Sequence, residues 1–186
     1  MRDMTDPGRL PLLFLDVDGP LIPFGAENGR YPSFATGHVP AAAANPLVSR
    51  LDPAHGKKLA ALPCAIVWAT TWMQDANECL APLLGLAPLP VLTWPEPSSL
   101  DERDERAGLH WKTRALVTYA AGRPFVWVDD EIRDADRAWV AAHHQGPALL
   151  HRVDARVGLT EDDYTAVGAW LRRRSTQADG GEHRPV

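Results

Sequence analysis

Short apolar runs alternate with longer amphipathic stretches along most of the chain. This is the pattern of a parallel sheet whose strands are joined by crossover helices. Five runs read as strands: Leu10–Asp18, Cys64–Thr70, Leu89–Trp94, Arg123–Asp130 and Ala148–Val153, the third being the weakest. Helical spacing fills the gaps. "LDPAHGKKLAALP" supplies a helix before the second strand. "WMQDANECLAPLLGL" places Met73, Ala76, Leu80, Leu83 and Leu84 on one stripe, with Pro82 bending the last turn. "HWKTRALVTYAAG" ends at a plausible glycine cap, Gly122. "DADRAWVAAHHQG" puts Ala135, Ala138, Trp139 and Ala142 on one face. "TEDDYTAVGAWLRRR" opens with Thr160 three residues before Asp163, as a capping box does, and closes on Arg172–Arg174.

Two segments break the alternation. Residues 19–50 are rich in Gly, Pro, Ala and Asn and follow the first strand directly, so they read as a flap or short hairpin over a site. Residues 175–186 are polar and read as a disordered tail, which leaves 1–174 as a single domain. The length of 186 residues, with 45% hydrophobic and 23% charged positions, suits that count.

Charge narrows the classes of partner. A net charge of −5 gives no general attraction to nucleic acid or to an anionic membrane. The N-terminus has no apolar signal core and no run reaches the roughly 20 residues of a membrane span, so a cytoplasmic protein is expected. Cys64 and Cys79 sit in apolar segments and read as reduced core residues.

The chemistry gathers where the strands end. The first ends in "LDVDG", with Asp16 and Asp18 one residue apart; the second in Thr70 and Thr71; the fourth in Asp129, Asp130 and Glu131. In a parallel sheet these ends share one rim, where ligands bind. Carboxylates gathered there repel one another unless a cation joins them, and an all-oxygen set suits Mg²⁺. Residues two apart on an extended strand point to the same side, so one acid can attack while the other handles protons. Taken singly, Asp-Gly is a turn and Asp-Asp a helix cap. Their joint occurrence with a hydroxyl pair favours a site.

"LDVDGPL", "VWATTW", "HWKTRAL" and "VWVDDE" resemble, in order, the four motifs of the haloacid dehalogenase-like (HAD) superfamily, over residues 10–154. With Trp72 after the hydroxyl motif, the chain also resembles the small HAD-like domains associated with RNA-repair proteins. The resemblance implies a Rossmann-like three-layer α/β sandwich, with a mainly parallel sheet of about five strands and no large cap domain. It makes Asp16 the nucleophile that becomes an aspartyl phosphate. Asp18 is the general acid and base, its backbone carbonyl on Mg²⁺. Thr70 holds a phosphoryl oxygen and Lys112 neutralises it. Asp129 and Asp130 complete the metal site.

Several positions stay open at this level. Thr71 rivals Thr70, and Arg114 rivals Lys112 on the same helix. Asp134 reads first as a helix N-cap, although a later acid in this motif supports the metal in some relatives. Trp72 either stacks on a base or packs a helix. "DERDER", Asp101–Arg106, reads as a solvated loop; His143 and His144, adjacent on a helix, do not share a face for a metal. The function expected is a Mg²⁺-dependent phosphomonoester phosphatase. Its open site suits a large phosphorylated substrate such as a nucleic-acid end or a phosphoprotein. A small-metabolite phosphatase, or a module that binds phosphorylated ligands without turnover, are the alternatives.

Overall fold

The computed structural model describes residues 10–35, 45–96 and 98–179. Four parallel strands form one sheet: β1 (Leu12–Leu15), β2 (Ala65–Trp68), β3 (Phe125–Asp129) and β4 (Ala148–Arg152), in the order β2-β1-β3-β4. The helices are α1 (Ala54–Ala60), α2 (Ala81–Leu84), α3 (Ser99–Arg106), α4 (Thr113–Ala120), α5 (Asp134–His143) and α6 (Glu161–Asp179). A π-helical turn, Ala76–Leu80, runs directly into α2.

Alternation within the strands builds the layers. Leu13 and Leu15 of β1, with Val126 and Val128 of β3, pack against Leu59 of α1, Leu84 of α2 and Val167 and Leu171 of α6. Leu12, Phe14, Phe125 and Trp127 point to the opposite face and pack against Leu116 of α4 and Val140 of α5. Both faces are therefore covered, which is why the strands read as continuous apolar runs. Burying each leucine-sized side chain contributes about 1.5–3 kcal/mol.

The fifth expected strand is reduced to a single bridge. Val91 pairs with Trp68, and the Leu92 amide donates to the Trp68 carbonyl. Pro88, Pro90 and Pro95 remove the donors a longer edge strand needs. The expected "DERDER" loop is instead helix α3. Ser98 caps it by accepting from Leu100 N, and Asp101 accepts from Ser98 N in return. On α5 the buried positions are Asp136 and Val140, in line with Ile132 before the helix and His144 after it; Ala138 and Ala142 are exposed. Thr160 and Asp163 do form the reciprocal bonds that open α6. That helix continues past Arg174 to Asp179, since no Gly or Pro stands between Arg174 and Gly180. Of the expected tail, residues 180–186 lie outside the described residues.

The described part of the 19–50 segment contains no hairpin. It holds a 3₁₀ turn, Pro46–Arg50, and an extended stretch in which Phe24 N donates to Ala155 O. Residues 36–44 of the expected flap lie outside the described residues. Among those described, no cap domain stands over the rim.

Candidate active site

β1 and β3 are neighbours whose next strands, β2 and β4, lie on opposite sides of the pair. The carboxyl ends of such a pair are where a crevice opens in such folds. Asp16 follows β1 directly and is buried, its Oδ1 accepting from Val17 N at 2.8 Å. Lys112 Nζ reaches Asp16 Oδ2 at 2.7 Å and Asp129 Oδ2 at 2.8 Å, so one buried ammonium joins the ends of β1 and β3. Asp129 is fixed further by Trp127 Nε1 on Oδ2 and by Glu131 N on Oδ1.

Gly19 brings in the next acid. Its φ is +87°, and a Cβ there would lie 2.6 Å from Asp130 Cγ. Only glycine allows both this left-handed turn and the close approach of Asp130. Carboxylate oxygens of Asp16, Asp129 and Asp130 come within 4.8 Å of one another.

Three carboxylates against one ammonium leave a surplus of negative charge. Burial, reinforced by the charge of Asp129 and opposed by Lys112, pushes the Asp16 carboxyl up to about 7. Burial and Asp129 raise Asp130 to about 6. Burial alone would lower Lys112, but Asp16 and Asp129 outweigh it and hold the ammonium above its usual value. A hard divalent cation would relieve this surplus, and the all-oxygen donor set fits one.

Asp18 stands outside that triad. It is half-buried, and its Oδ2 accepts from Trp72 Nε1 at 3.0 Å. The side chain of Trp72 is thus committed to an acid of the site. Thr70 is fully buried at the end of β2, while Thr71 is exposed. The Thr70 Oγ1 accepts from Trp72 N at 3.3 Å, which leaves its own hydrogen to donate. Arg114 points elsewhere, to a bidentate bond with Asp104 of α3 whose hydrogen bonds hold that carboxyl below its ordinary value. Cys64 and Cys79 are free, and burial raises both thiols, Cys64 to about 12.

Two residues left without a role at the level of sequence hold Lys112 in place. Asp136 is fully buried and accepts from His110 N (2.7 Å), Thr113 Oγ1 (2.6 Å) and Arg133 N (2.8 Å). It ties the start of α4 to the start of α5. Asp134, expected as the N-cap, is instead the first helical residue after Arg133; it is exposed, belongs to neither acidic cluster and pairs loosely with Arg137. His110 accepts from Lys112 N on Nδ1, so its hydrogen sits on Nε2 and is donated to Glu131 Oε2 at 3.0 Å. That hydrogen occupies the nitrogen a metal would need. The His110, Asp129 and Glu131 group is therefore a hydrogen-bond network. The signal for Asp136 was its i+4 spacing between Ile132 and Val140. As for the other histidines, His144 is spent on the Arg123 carbonyl and His143 on Trp139.

A parallel sheet with paired acids after β1, a hydroxyl after β2, a lysine on the following crossover and two acids at the end of β3 defines the haloacid dehalogenase-like class. The chain belongs to one family within it, described as the HAD domain in Swiss Army Knife RNA repair proteins, whose model matches residues 12–164. No curated protein and no solved structure gives a significant match.

Proposed function

We propose that the protein is a Mg²⁺-dependent phosphomonoester phosphatase that works through an aspartyl phosphate on Asp16. The observation that carries the reading is the convergence of Asp16, Asp129 and Asp130 around one buried lysine at the end of the central strand. A structural ion pair needs one carboxylate per ammonium. The excess here costs stability, and phosphoryl transfer gives it a use.

The residues divide the work. Asp16 attacks phosphorus with one carboxylate oxygen as the bond to the ester oxygen breaks. Asp18 gives its proton to the departing oxygen. It then takes a proton from the water that attacks the acyl phosphate, which frees inorganic phosphate and restores the Asp16 carboxylate. Trp72 Nε1 holds Asp18 in line for both steps. Thr70 and Lys112 face the phosphoryl oxygens, and Lys112 offsets their charge. Mg²⁺, held by Asp16, Asp129, Asp130 and the Asp18 carbonyl, supplies further positive charge when bound.

The family description points to RNA repair, and a rim over which the described residues set no cap domain suits a large substrate such as a nucleic-acid end. Among the described residues no helix is long and apolar enough to cross a membrane. Hydrolysis of p-nitrophenyl phosphate with Mg²⁺, lost in EDTA and in Asp16→Asn, is the expected result. Binding of phosphorylated ligands with no turnover of any ester would replace this reading with the non-catalytic module.

A further inference from the structure

Trp111 is the residue before Lys112, and 48% of its surface is exposed. Its ring centroid lies 5.5 Å from Lys112 Nζ, the same ammonium that touches Asp16. Trp94, on the segment bridged to the outer side of β2, braces it edge to face at 4.5 Å. The His110 ring stacks against it at 5.6 Å. Held by these three neighbours, the indole still leaves about half of its surface open to solvent beside the reacting group.

We propose that Trp111 is a stacking platform for a nucleobase, so that the site takes phosphate monoesters of nucleotides, free or at the end of a strand. The inference rests on the phosphatase reading of Asp16 and Lys112. A single ammonium bridges the nucleophile and the ring, and a phosphorus poised for attack sits about 3–3.5 Å from the attacking oxygen. Phosphate and indole are thus neighbours at the separation one sugar spans. Charge cannot recruit the ligand in general, because the chain carries −5. The contacts of Thr70 and Lys112 with the phosphoryl group are the same for any ester, so stacking is the source of affinity that tells a nucleotide apart, and it tolerates any base.

The pair that isolates the base is adenosine 5′-monophosphate against ribose 5-phosphate. In the wild type, kcat/KM is expected to favour the nucleotide, and Trp111→Ala to lower that preference about 10- to 100-fold, the range of a base–aromatic stack. Trp111→Phe keeps a ring and should retain much of the preference, which separates stacking from loss of a bulky neighbour. A wild type with no preference, or a Trp111→Ala variant that slows both substrates equally, overturns the proposal. Oligonucleotides bearing a 5′- or 3′-phosphate form the second arm. Faster turnover there places the base at a strand end, and slower turnover places it on a free nucleotide. Calorimetric binding of the same two ligands to Asp16→Asn does not depend on turnover. Base-dependent binding that Trp111→Ala abolishes, together with a wild type that hydrolyses no phosphate ester, would sink the phosphatase reading and keep the platform. Hydrolysis without any preference for the base would do the reverse.

Discussion

Replacing Lys112 by Met keeps the aliphatic stem and removes the charge that Asp16 and Asp129 share. The ammonium is buried and bonded to both acids, at 2.7 and 2.8 Å. Removing one partner of a buried ion pair costs about 3–5 kcal/mol, because the remaining charge is left unpaired. At roughly 2–4 °C per kcal/mol for a chain of this size, the melting temperature should fall by about 6–20 °C at pH 8 with a chelator present. The deficit should depend on pH. The Asp16 carboxyl already stands near 7 because of its burial and Asp129, and Lys112 is the influence that pulls it down. Without Lys112 it rises further. A carboxyl raised in the folded state binds its proton more tightly there than in the unfolded chain. The variant therefore regains stability as pH falls through that raised value, and the gap to wild type should narrow at pH 5. Mg²⁺ at pH 8 should narrow it too. Thermal melts followed by circular dichroism at both pH values measure this. A deficit of equal size at pH 8 and pH 5 would mean that packing, not charge, is what Lys112 supplies.

Other perturbations probe neighbouring contacts. Gly19→Ala forces a side chain into φ +87° against Asp130, so stability should drop by about 1–2 kcal/mol and calorimetric Mg²⁺ affinity should weaken. Unchanged metal affinity would remove Asp130 from the metal site. Trp72→Phe deletes the donor to Asp18 Oδ2, so turnover of an alkyl phosphate should fall several-fold more than that of p-nitrophenyl phosphate, whose leaving group hardly needs a proton. Equal losses on the two esters would free Asp18 of its acid role. Asp136→Ala leaves three donors without their acceptor and should destabilise by about 2–4 kcal/mol while lowering kcat more than it raises KM, since Lys112 loses its anchor. A stable, fully active variant would show that α4 holds Lys112 unaided.

What the sequence made legible follows from burial. β1 and β3 are covered on both faces, so their apolar runs were unmistakable, and the acids that end them marked the rim. Leu89–Trp94 was misread because its apolar content suggested a strand while its prolines limited it to one bridge. α3 escaped notice because it has almost no apolar face; a capping box and the Asp104–Arg114 pair support it instead. On α5, alanines and a tryptophan drew attention to the wrong face. The buried line carries Asp136 and leads to His144, polar groups accommodated because each finds hydrogen-bond partners. Asp16, Asp129 and Lys112 were placed by motif order, but only the fold reveals that one ammonium serves both acids.

The central claim is that Asp16 carries the phosphoryl group between two chemical steps. Asp18→Asn leaves that nucleophile in place, and its amide oxygen can still accept from Trp72 Nε1. With p-nitrophenyl phosphate and Mg²⁺, the first step needs little acid help, while water attack in the second loses its base. Intact-mass measurement after an acid quench should then show a single added phosphoryl group, mapped by peptide analysis to Asp16 and absent from the Asp16→Asn, Asp18→Asn double variant. A phosphoryl group on another residue, or full turnover by Asp16→Asn, would contradict the account.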